Sequence, residues 1–361
     1  MGKIKIVYWV LSIVLCLNLA SVQAETYYQT VGDGSTQSSL NDANRWNTSA
    51  DGSGSKPPTA PSNYPGDGII NHYITDKLFR TPNNTTAAYT FNADSLTINN
   101  GGTLFLKSQA TTNTLTFTGT LILNSGAIIN QNTATAGTNY GTIQVLNAAA
   151  IQINGAATFM QSQTLMGTAT QQTEYMTINA PLNGGGTLLI TNAQNNTSYW
   201  LTLAGNSSVF TGDITVNNTS PATATLARAT TLTLENSIGS GLLTLGKASS
   251  LIINATTEAA LGALSGRDLL IGDNVTQITL AADFTYYLQS FTALDGTVYD
   301  FNNALGKTIG GIGSGADFED AHILSGQFII SAIPEPSTYV LFGIGFVTLL
   351  LLRKKSPRQI S

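Results

Sequence analysis

Residues that do chemistry are scarce in this chain. It has one cysteine, Cys16, and two histidines, His72 and His322, among 361 residues. Charged residues are 10% of the total, and from Ser108 to Ala227 there is no lysine or arginine, with Glu174 and Asp213 the only acids. Cys16 lies in a leading apolar run expected to be removed, which leaves a mature chain without thiols. That excludes disulfides, a cysteine nucleophile and a thiolate metal site. Leu15 is not small, so the residue before Cys16 does not suit lipoprotein processing. Residues 25 to 333 carry 9 Lys+Arg against 19 Asp+Glu, which gives neither a basic stripe for nucleic acid nor a polybasic patch for anionic lipid. No long helical period occurs between the two terminal segments.

What is present is strand chemistry. The charge-poor stretch is full of Thr, Ile, Val, Leu, Asn and Gly, which suit strands and turns, whereas disorder favours higher charge and fewer β-branched residues. Short alternating runs recur at Leu96-Thr97-Ile98, Leu115-Thr116-Phe117, Leu121-Ile122-Leu123, Leu201-Thr202-Leu203 and Leu232-Thr233-Leu234, each bounded by turn formers. A hydrophobic–x–hydrophobic–Asn unit ends at Asn99, Asn124, Asn154, Asn179, Asn217 and Asn254, with gaps of 25, 30, 25, 38 and 37 residues. Coils of that size predict a parallel β-solenoid, with each turn burying its inward side chains against its neighbours. Asn side chains stacked from rung to rung would bond one another. A β-sandwich of ordinary hairpins is the competing reading. Residues 25–94 differ in texture, with Trp46, several Tyr and the loop Asp51-Gly52-Ser53-Gly54-Ser55-Lys56-Pro57-Pro58. They are expected to form an N-terminal β cap over a solenoid body spanning 95–333, since an open solenoid edge invites aggregation.

Two resemblances extend this. Residues 182 to 217 contain Leu182-Asn183-Gly184-Gly185-Gly186, then Leu201-Thr202-Leu203-Ala204-Gly205-Asn206, Phe210-Thr211-Gly212 and Ile214-Thr215-Val216-Asn217. This is similar to the autotransporter-associated β-strand repeat, which implies a right-handed, passenger-like β-helix. Arg45-Trp46-Asn47 and Pro65-Gly66-Asp67-Gly68-Ile69-Ile70 likewise resemble the opening of exported proteins of this type.

The ends speak to destination. Lys3 and Lys5 precede an apolar run from Ile6 to Leu19, and Val22-Gln23-Ala24 puts small residues at −3 and −1 of a cut between Ala24 and Glu25. Those are the parts of a secretory signal peptide over 1–24, with a retained membrane anchor as the plainer alternative. At the other end Pro334-Glu335-Pro336-Ser337-Thr338 is followed by an apolar run, Tyr339 to Leu352, and then by Arg353-Lys354-Lys355. The prolines stop the preceding element, the run suits a short membrane helix, and the basic cluster would hold the tail on the cytoplasmic side. A simple membrane anchor would share this outline. The order and spacing over 334–361 resemble the PEP-CTERM sorting signal. That resemblance implies recognition by an exosortase-type membrane peptidase after export by signal peptidase and a Sec-type translocon. It also implies an envelope, surface or matrix location associated with extracellular polysaccharide.

No catalytic, cofactor or metal site is predicted. His72 and His322 are far apart in sequence. The acidic cluster Asp317-Phe318-Glu319-Asp320-Ala321-His322 has hard oxygens suited to calcium but reads more simply as a solvated loop. Asp51 to Ser55 lacks the later bidentate glutamate that a calcium loop requires. Lys107, Arg228, Lys247, Arg267 and Lys307 are the types of base used by β-helix lyases, yet no motif joins them. Tyr199 and Trp200 could stack on a sugar or pack at a coil corner. The expected function is therefore a non-enzymatic structural or adhesive β-helix, with a polysaccharide-active lyase or hydrolase as the alternative.

Overall fold

The computed structural model describes residues 24–331 apart from the internal stretches 35–37, 62–70, 83–85, 108–111, 132–142, 163–171, 195–196, 220–228, 255–263, 265, 275 and 282–284. The expected signal peptide before Ala24, the sorting segment with its apolar run, and the Pro65–Ile70 motif lie outside the described residues.

The chain begins with β1 (Thr26–Gln29), which meets the two-residue β2 (Trp46–Asn47) in antiparallel fashion, Tyr28 opposite Asn47. On its other edge β1 runs parallel to β3 (His72–Thr75). From there the chain coils. Strands β3, β4 (Leu78–Arg80) and β5 (Ala88–Phe91) make one turn, and β6 (Ser95–Ile98), β7 (Thr103–Leu106) and β8 (Thr112–Phe117) make the next. Each strand pairs in parallel with its counterpart one turn on: β3 with β6, β4 with β7, β5 with β8. The pattern continues through β9 (Thr120–Leu123), β10 (Ile128–Gln131) and β11 (Ile143–Asn147), then β12 (Ala150–Ile153), β13 (Ala157–Gln161) and β14 (Gln172–Ile178). A further turn is β15 (Leu182–Asn183), β16 (Leu188–Asn192) and β17 (Thr197–Leu203). Three parallel walls result, and the architecture is an all-β, solenoid-like coil rather than a sandwich of hairpins.

Alternation decides which side chains face inward. In the first wall Tyr73, Leu96, Leu121, Ile151 and Leu182 stand in register, each almost wholly buried. Removing such side chains from water is worth about 1.5–3 kcal/mol apiece. Stacking therefore supplies a core that no single turn could build.

The first wall stops at β15. Among the described residues the later turns have two walls: β18 (Ile214–Asn218) with β19 (Thr230–Leu234), β20 (Ser240–Leu245) with β21 (Ser249–Ile253), and β22 (Gly266–Ile271) with β23 (Gln277–Leu280). The buried Phe210, Ile238 and Leu264 precede β18, β20 and β22 in these turns. The guanidinium of Arg267, fully buried, donates to the carbonyls of Ile238 (2.7 Å) and Gly212 (2.8 Å) and lies over the Phe210 ring.

The end of the fold is a different unit. Strand β24 (Thr285–Leu288) belongs to a small sheet with β27 (Thr308–Gly310), β28 (Phe318–Glu319) and β30 (Gln327–Ile330). Strand β25 (Ser290–Thr292) closes the second wall with an antiparallel partner, β26 (Val298–Tyr299), while β29 (Ile323–Ser325) ends the third. Among the described residues helix is limited to a 3-10 turn, Ala43–Arg45, and α1 (Phe301–Ala304), whose capping box joins Asp300 and Asn303. None of the described helices is long and apolar enough to cross a membrane.

Two expectations need correcting. Parallel stacking already includes β3 to β5, so the coils begin well before residue 95, and they give way to the mixed terminal sheet before residue 333. The Asn unit is not one repeat. Asn99, Asn124 and Asn154 follow first-wall strands, Asn179 and Asn254 follow third-wall strands, and Asn217 sits within β18. A hydrophobic–x–hydrophobic run ending in a polar residue arises wherever any wall meets a corner, so sequence spacing merged different corners.

Candidate functional site

The third wall offers a chemically uniform surface. Alternate residues of its strands form two columns in register, exposed or half-buried except for the covered Thr231 and Thr233. One runs Thr112, Ile143, Tyr175, Trp200, Thr231 and Ser250; the other runs Thr114, Val145, Thr177, Thr202, Thr233, Ile252 and Thr279. Neither column contains a charged residue. Ile143, Tyr175 and Trp200 are each a little over a third exposed on consecutive turns, and the Tyr175 and Trp200 rings meet edge to face at 5.7 Å. A surface of hydroxyls, methyls and two aromatic rings can hydrogen-bond and stack, but it has no acid or base for catalysis.

Alternation explains the fate of the aromatic pair named from sequence. Tyr199 and Trp200 are adjacent, so they point to opposite faces. Tyr199 is fully buried, its phenol pushed upward in pKa by burial and bonded to Met176 Sδ. Trp200 pairs instead with Tyr175, a residue that sequence reasoning missed. The signal was there in principle, since Tyr175 stands two residues before the Thr177 alternation, but the register between turns cannot be read from one strand.

The other candidates disperse. His72 Nδ1 bonds Ser95 Oγ at 2.8 Å on the first wall, whereas His322 Nδ1 bonds Asp320 Oδ1 at 2.7 Å near β29. In the acidic cluster each carboxylate has its own local task. Asp317 accepts from Thr308 N and Lys307 Nζ, Glu319 from Gly313 N, and Asp320 from His322. Asp51 Oδ1 accepts from both N and Oγ of Ser53, which closes the turn. Among the described residues no group of three or more His, Cys, Asp or Glu side chains is arranged to hold a metal. The basic residues do not converge. Arg267 is spent in the core, Lys307 on Asp317, Lys107 lies over the Phe105 ring, Lys247 sits on an exposed turn, and Arg228 falls outside the described residues.

Glu25, which would be the first residue of the cleaved chain, is tied into the fold. Its carbonyl accepts from His72 N at 2.8 Å and its carboxylate from the Tyr27 hydroxyl.

Comparison with protein families matches residues 332–355 to the PEP-CTERM protein-sorting motif. The chain carries a PEP-CTERM protein-sorting motif. The matched residues contain Pro334-Glu335-Pro336, the apolar run and Arg353-Lys354-Lys355, so the motif spans all three parts that the sequence singled out. A PEP-CTERM motif marks an exported, envelope-associated protein handled by an exosortase-type membrane protein. No curated protein and no solved structure matches the chain, and the likeness of 182–217 to the autotransporter-associated repeat has no family match behind it.

Proposed function

We propose that this protein is a non-enzymatic structural or adhesive element of the cell surface or extracellular matrix, whose solenoid touches extracellular polysaccharide through its third wall. The observation that carries the reading is the charge-free pair of columns with Tyr175 and Trp200 exposed on adjacent turns. Sugars present apolar C–H faces and hydroxyls, which such a wall meets without any charge to desolvate.

In this reading the chain is exported by a Sec-type translocon, cut by signal peptidase between Ala24 and Glu25, and passed to the exosortase at Pro334-Glu335-Pro336. Until then Tyr339 to Leu352 serves as a transmembrane helix stopped by Arg353, Lys354 and Lys355. The coil is right-handed, as parallel strand–crossover–strand connections are in nearly all cases, and the 182–217 unit is of the autotransporter-associated kind.

Two measurements on the native host test this. Intact mass of the surface-bound and released protein should begin at Glu25 and end near Pro336; a species retaining Tyr339 to Ser361 sinks the processing scheme. Affinity electrophoresis through gels containing the host's polysaccharide should show retardation that the double variant Tyr175→Ala, Trp200→Ala reduces. Equal mobility of both proteins with and without polysaccharide removes the adhesive role.

A further inference from the structure

A second polar surface lies where the coil starts, on the first wall. Tyr28, Ala50, Ile74, Asp76, Lys77 and Asn99 enclose a recess of about 220 Å³. That is below the roughly 300–1,000 Å³ of pockets that take drug-sized ligands, so it suits one small unit rather than an engulfed oligomer. Its floor is apolar: Tyr28 of β1 stands in register with Ile74 of β3, and both are half-buried. Its rim is polar. Asp76 and Lys77 form an ion pair at 2.8 Å, and the hydrogen bond from Lys77 holds the Asp76 carboxyl below its ordinary pKa, so the carboxylate is charged at neutral pH.

Asn99 gives the recess its direction. Gln152 Nε2 donates to Asn154 Oδ1 at 3.0 Å, Asn154 Nδ2 to Asn124 Oδ1 at 3.2 Å, and Asn124 Nδ2 to Asn99 Oδ1 at 2.7 Å. The two bonds between turns run the same way, towards the recess. Such a chain polarises each successive amide and strengthens the last donor. The Asn99 Nδ2 hydrogens and the Tyr28 hydroxyl have no partner among the described residues. The recess therefore combines an aromatic and aliphatic floor with an anionic acceptor, a cationic donor, an amide donor and a phenol.

These groups select by charge. A phosphate or carboxylate would face Asp76, and a free cation would face Lys77, while the close pair cancels for a neutral ligand. A neutral ring with hydroxyls on its rim and C–H bonds on its face uses every group at once. We infer that this recess holds one neutral sugar unit of a glycan. The inference shares with the proposed function the idea of a glycan partner and assigns it to a different surface, away from Tyr175 and Trp200.

The test uses the full chain on an array of defined neutral and acidic oligosaccharides that also carries the host polysaccharide, followed by titration of the strongest neutral binder. Asp76→Asn, a surface change that keeps the side-chain shape, should weaken that binder about tenfold, as expected for loss of a charge-assisted hydrogen bond. Tyr28→Ala should weaken it at least as much, with thermal midpoints recorded for both variants so that unfolding is not mistaken for lost contact. Ile312→Ala, an exposed change in the loop between β27 and β28 and outside both surfaces, should leave this affinity unchanged. Absence of any neutral binder, a preference for acidic glycans, or indifference to both Asp76→Asn and Tyr28→Ala overturns the inference. Binding lost in Trp200→Ala but kept in those two variants overturns the recess and leaves the third-wall reading standing.

Discussion

The turns before residue 204 and those after it solve the same problem differently. In the earlier turns three walls close the coil, and the corner after the first wall is tied by the amide chain of Asn99, Asn124 and Asn154, one bond per turn. A second such chain links Asn179 to Asn147 at 2.8 Å and Asn147 to Thr116 at 3.1 Å. In the later turns the described residues form no first-wall strand, and a single guanidinium ties three turns by binding carbonyls of Gly212, Ile238 and Leu242. The first device is distributed and partly solvated, so losing one member is graded. The second is concentrated and dry, and its failure should be abrupt.

The sharpest way to break this contrast is Arg267→Met. Methionine fills much of the same space but leaves buried carbonyls without donors, at a cost of about 3–5 kcal/mol. Urea unfolding should show a large drop in midpoint. Arg267→Lys should recover little, because a point charge cannot reach the carbonyls that the planar fork spans. Burial lowers the Arg267 pKa to about 10, with the Asp213 charge partly opposing the shift, so the group stays charged at neutral pH. A midpoint within error of the parent would show that the later turns are held by packing alone.

Next in size is Gly212→Ala. An added Cβ would stand 1.8 Å from the Gly186 carbonyl oxygen of the neighbouring turn, so the turns must part. Overpacking of this kind costs about 3 kcal/mol. Gly296→Ala is the matched control. It has φ of 85° with nothing within 4 Å of the new Cβ, so only backbone strain remains, about 1 kcal/mol. Equal losses in the two variants would mean that close approach of turns is not what Gly212 provides.

Smaller again is Asn124→Ala in the earlier turns. It removes both ladder bonds of a half-exposed side chain, and about 1 kcal/mol is expected because water replaces much of what is lost. Hydrogen exchange at the amides of residues 124 and 154 should rise locally, without the global loss foreseen for Arg267→Met. A cost as large as that of Arg267→Met would erase the distinction between the two regions.

How much of this was legible beforehand follows the same division. Strand identity was open to reading because inward Leu and Ile alternate with Thr in runs such as Leu121-Ile122-Leu123, and the sorting motif was open because its three parts are contiguous. The amide chain was foreseen in kind but not in membership. Asn147, which bonds Asn179, does not fit the unit because Gln144 stands where its first hydrophobic residue would be, whereas Asn217 fits it though it lies inside β18. Arg267 looked like a spare surface base, since nothing local tells a guanidinium aimed at distant carbonyls from one in water. The recess was illegible for a similar reason: Tyr28, Asp76 and Asn99 meet only because β1, β3 and β6 lie side by side.

The smallest expected effect concerns the cap, which joins the earlier turns through charge. Asp33 is buried, accepting from Ser39 N at 2.8 Å, Ser39 Oγ at 2.6 Å and Arg80 N at 2.9 Å. Desolvation by burial raises its pKa above the ordinary value, outweighing those three bonds and the nearby Arg45 charge. A raised folded-state pKa means that the native state binds the proton more tightly than the unfolded chain. This contribution is fully present below the unfolded value and fades as pH rises through the folded one. Asp33 should therefore partly offset the general acid destabilisation arising from carboxylates such as Asp76, whose pKa is lowered, chiefly by the hydrogen bond from Lys77. In Asp33→Asn the offset disappears, and stability should fall more steeply with acid than in the parent. Parallel denaturation curves from neutral pH down through the carboxylate range decide it: a parent that loses stability as steeply as Asp33→Asn would mean that the three donors, and not burial, set the charge state of the cap.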